Sequence, residues 1–157
     1  MAVCHILFVC TGNTGRSVAA EALARRMIAQ RGLAMSVGSR GVAVDAANLS
    51  AELHVVTLLM ARGLDVSAHR ARPLTAADID TADQVLTMTA AHKQRVLSQF
   101  PGSAAKLQLL SAAACGTHED VPDAFGAPIG GYERMLATLD RLVAAALERL
   151  RPDRPMD

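Results

Sequence analysis

At 157 residues, 51% hydrophobic and 20% charged, the chain has the size and apolar content of one domain with a substantial core. A formal net charge of +1 excludes a whole-protein pull toward nucleic acid or anionic membrane, so any anion recognition must be local. Three cysteines (Cys4, Cys10 and Cys115), no CxxC pair, no signal-peptide pattern and no apolar stretch approaching a bilayer span exclude a disulfide scaffold, structural zinc and a membrane segment. They predict a cytoplasmic protein with no metal and no cofactor.

Along the chain, strand and helix signals alternate. "HILFVC" (5–10) is the continuous apolar run of a buried parallel strand, and "SVAAEALARRMIAQRG" (17–32) is a helix stopped by Gly32. "LAMSVGSRGV" (33–42) reads as a second strand. "LSAELHVVTLLMARG" (49–63) reads as a second helix, with Ser50 as its N-cap and Gly63 as its terminator. Residues 64–74 read as extended and irregular, and 75–80 as the start of a short helix. "DQVLTMT" (83–89) is a third strand, "AAHKQRVLSQF" (90–100) a helix closed by Pro101-Gly102, and "AKLQLL" (105–110) a fourth strand. Residues 111–131 are rich in Gly, Pro and Asp and read as a long loop. "YERMLATLDRLVAAALERL" (132–150) is a strongly amphipathic helix, and 151–157 a flexible tail on a single domain spanning 1–157.

This alternation predicts an α/β fold, a four-stranded parallel sheet between two helical layers. Ligands of such sheets bind beyond the C-terminal strand ends. The segment "CTGNTGRS" (10–17) leads from the first strand to the first helix and so lies there, and the acidic loop 111–131 opens on the same edge.

That segment has the composition of an oxyanion cradle. Glycines let backbone N–H groups converge on a tetrahedral dianion, and the helix that follows adds unpaired donors and the positive end of its dipole. Arg16 supplies a planar fork for two oxygens. The same donors favour negative charge on the Cys10 sulfur, and the Ser17 hydroxyl is placed to donate to it. The spacing Cys-x5-Arg is weak by itself. The two glycines, Asn13, the strand before and the helix after make it specific, and the missing Lys after the second glycine excludes a P-loop NTPase. Cys4 and Cys115 read as small buried hydrophobes.

With these residues in place, the chain from residue 5 to about 150 resembles the low-molecular-weight protein tyrosine phosphatases, whose signature is a Cys-x5-Arg-Ser loop near the N-terminus. "SRGV" (39–42), "HRARPL" (69–74) and "DVPDAFG" (120–126) are similar to further family segments. The resemblance implies that Cys10 is a nucleophile forming a phosphocysteine and that Arg16 holds the equatorial oxygens. It implies that Asp123 protonates the leaving group and then activates water. Thr11, Gly12, Asn13, Thr14, Gly15, Ser17 and Phe125 would line the substrate site, with Asn13 hydrogen-bonded to a bracing His69. Read without the resemblance, His69 is a surface histidine and Asp123 a turn residue.

Three positions depart from the family pattern: Ala124 and Val18 stand where prolines are usual, and Gly15 where many members carry a second cysteine. Thr14 and the loop 116–126 look more like the protein-arginine-phosphatase branch than the tyrosine-specific one. Phosphoarginine on proteins is therefore expected ahead of phosphotyrosine, with inorganic phosphate as product and no nucleic acid or membrane partner. Thioredoxin-coupled arsenate reductase, which needs two further cysteines in a mobile segment, and a weakly catalytic phosphate-binding module are the lesser alternatives.

Overall fold

The computed structural model describes residues 3–155. Strand β1 (Cys4–Cys10) pairs in parallel with β2 (Met35–Gly41) on one side and with β3 (Gln84–Thr87) on the other. Strand β4 (Leu107–Leu109) pairs in parallel with β3, giving the order β2-β1-β3-β4. The strand order reverses direction at β1, so its C-terminal end opens into the crevice where such sheets bind ligands.

Alternation along β1 divides the core. Ile6, Phe8 and Cys10 face one helical layer, formed by α1 (Arg16–Arg31), α2 (Leu53–Met60), α5 (Leu110–Cys115) and α6 (Ile129–Leu150). Leu7 and Val9 face the other, formed by α3 (Ala76–Thr81) and α4 (Ala90–Gln99). From Ile6 to Cys10 both sides of β1 are dry, which explains why this stretch is an unbroken apolar run. Gly32 ends α1 in the left-handed conformation, φ 61°, and its N–H donates to Ile28 O. Thr75 and Asp78 form a capping box at the start of α3.

Several expectations are corrected. Helix α2 starts at Leu53, and Ser50 does not cap it. Residue 50 instead forms a β-bridge with Arg70, and the Glu52 N–H donates to Thr14 O at 2.8 Å. The segment before α2 is thus held extended along the 10–17 loop, and these tertiary bonds override the local capping signal. The chain still leaves the helix through Gly63, φ 78°. The expected loop 111–131 also opens with a helical turn, α5, because its run of three alanines, 112–114, has high helix propensity, and α6 begins at Ile129. Cys115, at the end of α5, is exposed and not buried as expected, while Cys4 is half-buried. Residues 156 and 157 of the expected tail lie outside the described residues; within it, Arg151 pairs with Asp153 at 2.7 Å. Among the described residues, no helix is long and apolar enough to cross a membrane.

Candidate active site

The loop between β1 and α1 wraps a cavity of about 160 Å³, lined by Cys10, Thr11, Gly12, Thr14, Gly15 and Arg16 below and by Asn48, Glu52, Asp123 and Phe125 above. No side chain caps the first turn of α1 and no acidic residue lies in it. Its backbone donors and dipole therefore act on whatever occupies the loop.

Asn13 holds the loop's shape. It is fully buried with φ 57°, a left-handed conformation that asparagine tolerates better than most residues. All of its polar groups on the loop side are engaged. Its Oδ1 accepts from Arg72 N at 3.0 Å, its Nδ2 donates to Ser17 Oγ at 2.8 Å, and its carbonyl oxygen accepts from His69 Nε2 at 2.7 Å. His69 therefore braces the Asn13 main chain, while the side chain turns inward. Because Ser17 Oγ already accepts from Asn13, its own proton is free for Cys10 Sγ, 2.9 Å away.

Gly41 makes the close approach behind this loop. It closes β2 opposite Cys10, and a Cβ there would lie 2.6 Å from Thr11 O and 3.1 Å from Asn13 N. Val42 N and Ala43 N donate to Cys10 O and Thr11 O, which stitches the turn "SRGV" to the loop.

Arg16 is 6% exposed, an unusual degree of burial for a guanidinium. Its Nη1 donates to Val121 O at 3.0 Å, and its Nη2 lies 3.7 Å from Asp123 Oδ2. Val121 is itself fixed to the sheet, its N–H donating to Met88 O. Asp123 stays half exposed at the cavity rim, its Oδ1 accepting from Phe125 N at 3.0 Å. Phe125 is 72% exposed at the mouth. Ala124, at the position where proline is usual, is buried.

Three further neighbours stand around the loop. Asp120 Oδ1 accepts from Ala90 N at the start of α4, so that carboxylate is already in structural use. His92 Nε2 lies 2.8 Å from Thr11 Oγ1, and the ring is held largely neutral, its pKa lowered to about 4 by burial and by the Arg16 charge. Glu52 reaches over Gly15 and accepts from the Tyr132 hydroxyl at 3.1 Å. Burial raises the Glu52 carboxyl and pushes Tyr132 up to about 12. His92 and Glu52 belong to no contiguous motif, so no local signal marks them, whereas Asp120 opens the "DVPDAFG" segment. Among the described residues, no group of three or more His, Cys, Asp or Glu is arranged to hold a metal ion.

The family model for low molecular weight phosphotyrosine protein phosphatases matches residues 5–156. The chain belongs to this family. Among curated relatives, it is 38% identical to the protein-arginine-phosphatase of Bacillus subtilis (strain 168), over 95% of this chain and 98% of the relative. It is 33% identical to the low molecular weight protein-tyrosine-phosphatase PtpB of Staphylococcus haemolyticus, over 88% and 94%. A solved structure of a mutant YwlE arginine phosphatase with a phosphorylated active-site serine superposes with a TM-score of 0.90 at 37% identity, covering 96% of this chain and 97% of that one. As a low molecular weight phosphatase, the chain is a cysteine-based phosphohydrolase of protein substrates, and the fold matches its relatives nearly end to end.

Proposed function

We propose that this phosphatase removes phosphate from arginine residues of proteins through a phosphocysteine at Cys10. The observation that carries the reading is the convergence on one small cavity of Cys10, the uncapped first turn of α1, Arg16 and Asp123. Phosphate oxygens enter the loop amides and the Arg16 fork, taking the Arg16 Nη2 that now faces Asp123. Cys10 Sγ attacks phosphorus, forming the S–P bond as the P–N bond breaks, and Asp123 gives its proton to the departing guanidine nitrogen. Asp123 then takes a proton from water, whose oxygen attacks phosphorus. The S–P bond breaks, inorganic phosphate leaves, and the Ser17 hydroxyl supports the returning thiolate.

Support for arginine comes from the small polar Thr14 in the wall and from the higher identity to the arginine phosphatase than to the tyrosine phosphatase quoted above. Phosphotyrosine is the second reading, favoured by the exposed Phe125 ring at the mouth, which offers a face to a phenyl group. Matched peptides carrying phosphoarginine or phosphotyrosine test the assignment: kcat/KM is expected to be higher for phosphoarginine. Cys10→Ser is expected to abolish turnover of both while vanadate still binds. A clear preference for phosphotyrosine would overturn the arginine assignment, and turnover by Cys10→Ser the covalent mechanism.

A further inference from the structure

Position 15 has no side chain, and the space beside it is filled from elsewhere in the chain. A Cβ on Gly15 would overlap Glu52 Oε2 and lie 3.2 Å from Glu52 Cδ, so the Glu52 carboxylate occupies the place that a residue-15 side chain would take. Glu52 is held there by two hydrogen bonds and faces the cavity. Its backbone N–H donates to Thr14 O, its Oε1 accepts from the Tyr132 hydroxyl, and it lines the same cavity as Asp123 and Phe125. Oε2 has no hydrogen-bond partner among the described residues.

We infer that Glu52 is a specificity-determining residue, its Oε2 accepting N–H donors from the guanidinium of a phosphorylated arginine while Asp123 serves the scissile nitrogen. The inference rests on the arginine reading above and extends it to a residue outside the family motifs. A phosphoarginine guanidinium retains several N–H donors and needs acceptors, whereas a phosphotyrosine ring presents none to a carboxylate. A half-buried carboxylate with one free oxygen is under-solvated, so a cationic donor is a favourable partner and a phenyl ring an unfavourable one. The rise of the Glu52 carboxyl by burial, opposed by the Tyr132 hydrogen bond and by Arg16, agrees with that state. Gly15 is then part of the same device, because any larger residue there displaces the carboxylate.

The test reads the ratio of kcat/KM for matched phosphoarginine and phosphotyrosine peptides, which cancels damage common to both. Glu52→Gln, which keeps the shape and the Tyr132 contact, is expected to lower the ratio about tenfold, the difference between a charge-assisted and a neutral hydrogen bond. Gly15→Ala, which leaves the carboxylate in the chain but pushes it aside, is expected to lower the ratio in the same direction. The double variant is expected to match Glu52→Gln alone, because both changes remove one contact. Should Glu52→Gln fail to fold, Gly15→Ala carries the test by itself. A wild type that prefers phosphoarginine, with an unchanged ratio in the variants, overturns the role of Glu52 and leaves the arginine reading standing. A wild type that prefers phosphotyrosine overturns both.

Discussion

Arg16 Nη2 and Asp123 Oδ2 stand 3.7 Å apart across the cavity, with the other Arg16 terminus locked on Val121 O. The guanidinium is thus fixed at one nitrogen and available at the other, while the carboxylate sits half exposed on the rim. A bound phosphate would take the free nitrogen and leave Asp123 facing the leaving group.

Asp123→Asn should accordingly separate good leaving groups from poor ones. With para-nitrophenyl phosphate, whose leaving group needs little protonation, turnover is expected to fall about tenfold. With a guanidino leaving group the loss should be about 100- to 1,000-fold, within the usual range for general acid catalysis. Steady-state kinetics on the two substrates checks this. Equal losses would assign Asp123 a structural role, and Asp120 cannot take over without giving up the Ala90 N–H at the start of α4.

Gly41→Ala should damage the loop without touching a reacting group. The added Cβ meets the Thr11 carbonyl oxygen at 2.6 Å and the Asn13 N at 3.1 Å, both main-chain atoms that cannot swing aside. A stability loss of about 1–3 kcal/mol is expected, together with weaker phosphate binding as the cradle opens. Denaturant unfolding and phosphate titration measure the two effects. Unaltered phosphate affinity would separate the strand end from the loop.

Acid should destabilise the protein through His92. Its folded pKa of about 4 lies below the ordinary value of 6.5, so between these limits the unfolded chain binds more protons than the folded one. The stability that neutral His92 contributes is complete above pH 6.5 and is lost as pH falls toward 4. Between pH 6.5 and 5 the loss is of order 2 kcal/mol. Glu52, raised by burial, acts in the opposite sense, its contribution being largest at low pH. Urea midpoints measured from pH 7 to 4.5 should therefore fall steeply for the wild type and more gently for His92→Asn. Parallel curves would remove His92 from the account.

Oxidation of Cys10 should be hard to reverse. Gly15 supplies no neighbouring thiol, Cys4 lies at the far end of β1, roughly 20 Å away at strand rise, and Cys115 contacts Ser111 and Thr117 on α5 and the turn after it. Peroxide is expected to carry Cys10 to sulfinic and sulfonic acids, read by mass spectrometry after treatment with dithiothreitol. Full recovery of activity, or a Cys10–Cys115 disulfide, would show that these sulfurs do meet.

Much of this molecule is determined by the sequence itself. The apolar run of β1, the glycines and Asn13 that follow, Arg16 and the opening of α1 are contiguous. A cradle of backbone N–H groups depends chiefly on the φ and ψ of those consecutive residues. The fold class follows from the same kind of local periodicity. The tertiary structure decided what surrounds the cradle. Ser50 loses its capping role because its strand partner, Arg70, and the Glu52–Thr14 bond hold the chain extended. Asp120 is committed to α4 and Asp123 left at the rim by anchors at Val121 and Ala90. Gly41, Glu52 and His92 reach the loop from three other parts of the chain. Gly41 lies in the "SRGV" segment, but the side-chain placement of Glu52 and His92 depends on the packing of whole elements, and no neighbouring residue in the sequence carries a trace of it.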